Sequence, residues 1–144
     1  MRTKVITTFF VLLVATSVMA AKAPAVEAQL VQINTSPDMF TFRGPVNLQY
    51  QLTIKNPLVD QPITLRRITL RTQAPSAYSL RADDPINVTI YPQSSLTIPL
   101  SAWGRSSGGF MGSQVPVDIR VQLFFDRQNG KSFVKQFVEY LTQP

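Results

Sequence analysis

Acidic and hydroxyl side chains are the only candidates for chemistry in this 144-residue chain, because it has no histidine and no cysteine. That removes the commonest general base, the thiolate nucleophile and the usual transition-metal ligands. Serines are plentiful, but none has an imidazole to activate it, and Lys131-Ser132 falls at a hairpin turn where both side chains read as exposed. Asp118 and Asp126 lie an even number of residues apart on one strand and share a face. At about 3.3 Å per residue they stand some 26 Å apart. The paired carboxylates of glycoside hydrolysis sit within about 10 Å of each other. Asp83-Asp84 precedes Pro85 and reads as turn chemistry. A Ca²⁺ site built there with Asp38 would still fall short of the roughly six oxygen ligands such an ion takes. Gly104-Arg-Ser-Ser-Gly-Gly109 lacks the Gly-Lys-Ser/Thr ending of a phosphate loop. Gly130-Lys131-Ser132 has that ending but has Phe125 where the upstream glycine belongs. The sequence therefore points to no enzyme, no cofactor and no metal.

One constellation fits binding rather than catalysis. Asn129-Gly130 stands between two β-prone runs, Val115 to Gln128 and Lys131 to Leu141, and reads as a type I′ hairpin turn. That turn would pair Phe125 with Val134, Leu123 with Gln136, Val121 with Val138 and Ile119 with Tyr140 on a core face. The opposite face would then carry Phe124, Phe133 and Phe137 with Lys135, Arg120 and Glu139, and Arg120 would face Glu139 as opposite charges prefer. Three phenylalanines on a nominally solvated face, with charges around them, have the apolar centre and polar rim of a docking patch. The alternative is that the first strand or the Phe40–Phe42 segment covers them.

The elements that must position this hairpin are strands. Gln29 to Thr35 alternates as a first strand, and Val46 to Lys55 alternates without a break, with Val46, Leu48, Tyr50, Leu52 and Ile54 on one side. That period of two, with one polar face, marks an antiparallel strand lying on a core. Asn56-Pro57 ends it, since proline cannot donate to a ladder. Ile63 to Thr72 changes phase at Arg66-Arg67, which calls for a β-bulge there. Ala77–Leu80 and Ile86–Tyr91 read as two short strands around an Asp83-Asp84-Pro85 turn, Ser94–Ser101 as another strand, and Gly104–Gln114 as a flexible loop. No helical period is sustained anywhere. Evenly spaced strands and 11 prolines, nearly all between them, predict an all-β, antiparallel immunoglobulin- or fibronectin-III-like sandwich of about seven strands.

The N-terminus reads as a secretory signal. Arg2 and Lys4 precede an uncharged, largely apolar run from Val5 to Val18, and Val18-Met19-Ala20 supplies small residues before a cleavage site, with Ala21-Lys22-Ala23 as a second option. The run falls short of the roughly 20 apolar residues that a membrane span needs. The expected organisation is a signal peptide over 1–20, a tether over 21–28 and the sandwich over 29–144, secreted or periplasmic and without a stable membrane span once cleaved. Cleavage there would remove two of the 14 basic residues and none of the 8 acidic ones, leaving a net charge of +4. The basic residues are scattered, Arg66-Arg67 being the only adjacent pair, which argues against nucleic acid as a partner.

Leu52-Thr-Ile-Lys-Asn-Pro57, then Ile63-Thr-Leu-Arg-Arg-Ile68, then Ser94-Ser-Leu-Thr-Ile-Pro-Leu100 and a closing hairpin resemble the LEA14/WHy family of late-embryogenesis-abundant domains associated with water stress and the hypersensitive response. The resemblance spans Val46 to Leu141 and departs at Leu58, where that family usually has a second asparagine. It implies a fibronectin-III-like sandwich with a non-enzymatic, stress-protective or binding role in the envelope, and it assigns no binding residue. The rival expectation is an interaction subunit or adhesin-like component of a surface assembly, docking another envelope protein by sheet-edge addition.

Overall fold

The computed structural model describes residues 23–34, 43–73, 78–107 and 117–141. The expected signal segment, Phe40–Phe42 and Phe110-Met111 lie outside them. Seven strands form: β1 (Glu27–Gln32), β2 (Arg43–Lys55), β3 (Ile63–Thr72), β4 (Tyr78–Ile90), β5 (Ser95–Ser107), β6 (Asp118–Arg127) and β7 (Ser132–Tyr140). All pairings are antiparallel, in the order β1-β2-β5-β4-β3-β6-β7.

This ladder folds back on itself at one place. β5 follows β2 all the way from Lys55↔Ser95 to Arg43↔Ser107, but meets β4 only from Tyr78↔Ser106 to Arg81↔Trp103. On one side of that short junction lie β1, β2 and most of β5; on the other lie most of β4, then β3, β6 and β7. Leu48, Tyr50, Leu52 and Ile54 of the first group are buried in one cluster with Leu65, Ile68, Leu70, Val121, Leu123 and Phe125 of the second. No helix among the described residues covers either group, so each sheet covers the other, as in a sandwich. The alternation along Val46–Ile54 and along Ile119–Phe125 thus faces inward as the sequence implies.

Gly104 makes the junction possible. It pairs with Val46 on one side and Leu80 on the other, and a Cβ added to it would stand 1.8 Å from the Ser79 carbonyl oxygen. Only glycine tolerates such a backbone approach. Residues Gly104–Ser107, expected in a loop, therefore belong to β5.

The bulge is where the sequence puts it: the register of β3 against both β4 and β6 shifts between Leu65 and Arg67. The extra residue lets Leu65 and Ile68 both face the core while Arg66 and Arg67 both face solvent. Other expectations need correction. Asp83-Asp84-Pro85 is not a turn, because the chain runs straight through it as part of β4. Pro85 is accommodated because β4 has left β5 by that point and is paired on one side only. The sandwich begins inside the expected tether, since Val26 is buried in the core and Glu27-Ala28 already pair with Lys55 and Ile54.

Asn56, read from sequence as a mere strand end, is wholly buried and ties three segments together. Its Nδ2 donates to the carbonyls of Gln61, Ile90 and Tyr91 at 2.9, 3.1 and 3.3 Å, and its Oδ1 accepts the Leu58 N–H at 3.1 Å. Tyr50 is the opposite case. Its hydroxyl is buried with no hydrogen-bond partner, and burial pushes its pKa upward.

Candidate functional site

The β6–β7 hairpin differs from the sequence reading by one residue, and that slip divides the expected patch. Gly130 alone takes a positive φ, +78°, while Asn129 does not. The Gly130 N–H donates to the Arg127 carbonyl, and the Arg127 N–H to the Lys131 carbonyl. The turn is therefore a three-residue loop closing on a glycine in the left-handed region, not a two-residue type I′ turn. Phe125 faces Phe133, Val121 faces Phe137, Leu123 faces Lys135 and Ile119 faces Glu139. A shift of one reverses the faces of a strand. Phe133 and Phe137 turn inward and pack against the core, Phe133 stacking on Phe125 with ring centroids 5.1 Å apart. Lys135 and Glu139 share that inner face. Val134, Val138 and Tyr140, expected in the core, are 48, 44 and 61 % exposed. Of the six patch residues only Phe124 and Arg120 stay together on the outer face, and Arg120 faces Val138 rather than Glu139.

The outer face of β3 and β6 holds a different arrangement. Arg81, Arg71 and Arg120 occupy directly paired positions on three successive strands, β4, β3 and β6. Paired residues point to the same side, and all three arginines are exposed. Trp103 of β5, 65 % exposed, continues the row beyond Arg81, and Asn47 of β2 continues it beyond Trp103. Like charges placed directly opposite one another destabilise a sheet, and nothing in the row offsets them. None of the three arginines makes an ion pair among the described residues; Arg120 only donates to the Gln73 side-chain oxygen at 3.1 Å.

The neighbouring rows are satisfied. Thr69 donates to Gln122 at 3.3 Å and Gln122 donates to Gln136 at 2.9 Å, a polar ladder across three strands. Arg67 grips Asp83 with two hydrogen bonds of 2.7 and 2.6 Å, and its guanidinium lies 6.0 Å from the centre of the Phe124 ring. Arg67 holds the Asp83 carboxyl below its ordinary pKa, with Arg71 and Arg81 adding to the effect. Between the Arg67–Phe124 end and the Arg71–Arg120 end lies an open groove of about 440 Å³, with Thr69 and Gln122 along it.

The carboxylates read for catalysis do not converge. Asp83 lies on the outer face against Arg67, whereas Asp84 is paired with Ile68 of the inward-facing set. Asp126 is held by the Ser132 hydroxyl and by Arg66, each at 2.7 Å. The site residues that the sequence hid are Arg71, Arg81 and Trp103. They are ten and twenty-two residues apart along the chain, and only the pairing of an unbroken β4 with both β3 and β5 aligns them.

Among known proteins, no family profile and no curated sequence matches the chain. Solved structures match in fold. The structural-genomics target SoR45 superposes with a TM-score of 0.53 at 14% identity, over 83% of this chain and 85% of that one. The GAE domain of yeast GGA1, in its GAE domain–P21 crystal structure, superposes with a TM-score of 0.50 at 14% identity, over 86% of this chain and 96% of its own. At such identity the likeness is one of architecture, and the described residues of this chain form an all-β antiparallel sandwich of seven strands.

Proposed function

We propose that this chain is a non-catalytic binding domain of the cell envelope whose outer β3–β6 face captures a linear acidic glycan. The observation that carries this reading is the row of Arg81, Arg71 and Arg120, paired strand to strand, none of them in an ion pair among the described residues. Cross-strand neighbours stand about 5 Å apart, so the row offers cations at a spacing comparable to the repeat of a uronate chain. Guanidinium forks match carboxylates in pairs. Exposed Trp103 at one end gives a flat apolar surface on which a sugar ring stacks, and Gln122 and Gln136 supply amide groups for hydroxyls. The basic, apolar N-terminal segment supports export, and the resemblance of Val46–Leu141 to LEA14/WHy domains supports a non-enzymatic envelope role.

Isothermal titration of the mature chain with a galacturonate oligomer tests this. Affinity should fall steeply with added salt, since exposed charges are screened. Arg71→Ala, Arg81→Ala and Trp103→Ala should each weaken binding at least tenfold, while Lys131→Ala at the hairpin tip should not. Binding that ignores Arg71 and Arg81 would refute the proposal. So would capture of phosphatidylglycerol vesicles in preference to the uronate oligomer.

A further inference from the structure

β7 ends the sheet order, with one side laddered to β6 and no strand of the described residues on the other. Its nine residues contain no proline, and its ladder runs without a shift from Asp126↔Ser132 to Asp118↔Tyr140. Natural sheets usually blunt such an edge with proline, a bulge or charge. Here the charges have a pattern. Lys135 and Glu139 lie on the inner face, two positions either side of Phe137. Four residues along one strand is about 13 Å, so they cannot reach each other. Neither makes an ion pair or hydrogen bond among the described residues.

We infer that β7 is a homodimer edge, pairing antiparallel with β7 of a second copy about a two-fold axis through Phe137. In that register Lys135 faces the partner's Glu139 and Glu139 faces the partner's Lys135. Phe137 faces its own counterpart, and Phe133 faces the partner's Leu141. Both ion pairs form at once, as an isologous interface requires. Only this register does so while keeping inner face against inner face. Centring the axis on Gln136 sets Lys135 against Phe137, and centring it on Val138 sets Glu139 against Phe137. Centring it on Lys135 or on Glu139 sets like charges together. On the outer face Val134 meets the partner's Tyr140, so exposed apolar side chains gain cross-strand neighbours at the seam. The dimer would join β4-β3-β6-β7 of each copy into one eight-stranded sheet, with the second copy, rather than a foreign peptide, supplying the added strand.

Sedimentation equilibrium of the mature chain tests this by charge exchange. Lys135→Glu alone and Glu139→Lys alone should each weaken self-association at least tenfold, because each places like charges at two points of the interface. The double variant K135E/E139K should restore it. A mixture of the two single variants should form a heterodimer where neither forms a homodimer, a result that a folding defect could not produce. A wild-type chain that stays monomeric at every concentration would overturn the inference and make Lys135 and Glu139 guards of a bare edge. Single variants that associate as well as the wild type would overturn it too.

Discussion

Replacing Asn56 with alanine should cost about 3 kcal/mol of unfolding free energy, although the residue lies outside every strand and away from the arginine row. Its side chain is fully buried. Two amide hydrogens serve the carbonyls of Gln61, Ile90 and Tyr91, and the amide oxygen serves the Leu58 N–H. Counting the longest, to Tyr91, as a shared contact leaves three bonds, each contributing about 1 kcal/mol net. Backbone groups left stranded would raise the cost further. For a domain of this size a loss of 3 kcal/mol lowers Tm by roughly 10 °C. Urea denaturation should show a lower midpoint with an unchanged slope, as expected when stability alone changes. Asn56→Asp is the discriminating control, because it keeps the acceptor for Leu58 but turns a carboxylate oxygen toward the carbonyls. Crowding by those oxygens would raise its folded-state pKa above the unfolded value. Its stability should then be best at low pH and fall as pH rises through the folded pKa. An alanine variant within about 1 kcal/mol of wild type would refute the reasoning, as would an aspartate variant as stable as asparagine at neutral pH.

Gly104→Ala should break the β4–β5 junction, since its Cβ meets backbone rather than a yielding side chain; loss of the cooperative thermal transition is the expected readout. Tyr50→Phe should leave stability unchanged or raise it by about 1 kcal/mol, because the hydroxyl it removes is buried without a partner. Asp83, beside Arg67, and Asp126, beside Ser132 and Arg66, both have pKa values below the ordinary carboxylate range. Their contribution is complete above that range and is lost as pH falls through their folded values. Arg67→Gln should therefore flatten the decline of the denaturant midpoint below about pH 4.

The parts of the fold legible in the sequence are those where side-chain period and burial agree. Val46–Ile54 alternates and faces the core, and the phase change at Arg66-Arg67 marks the bulge. Where two turn types share a sequence, periodicity did not choose between them. Asn129-Gly130 suits a type I′ turn, yet the left-handed residue is Gly130 alone, and β7 alternates apolar residues on both faces, Phe133 and Phe137 against Val134 and Val138. Neither register violated the hydrophobic pattern, so the turn geometry decided, and four of the six expected patch residues moved inward. Asp83-Asp84-Pro85 reads as a turn because local chemistry favours one; pairing with β3 and the Arg67 clamp override that preference. The arginine row was invisible for a further reason. Its members come from three strands, and cross-strand alignment is a property of register rather than of spacing along the chain.

The strand order has a kinetic consequence. β1–β2, β3–β4, β4–β5 and β6–β7 are neighbours in sequence as well as in space, and such hairpins close within about 10 μs. The β2–β5 and β3–β6 ladders are not local, and they interleave: β3 lies between β2 and β5 along the chain, while its partner β6 comes after both. Neither enclosure can form as a self-contained unit and then dock. Refolding should accordingly be slow, in the millisecond-to-second range of all-β topologies with non-local pairing. A chain emerging N-terminus first reaches Ser107 with β2 and β5 able to pair and β3 bare along the side that β6 will occupy. Until Asp118–Arg127 follows, Ile68 and Leu70 line a sheet with an open edge, and that interval is when this protein is most exposed to aggregation.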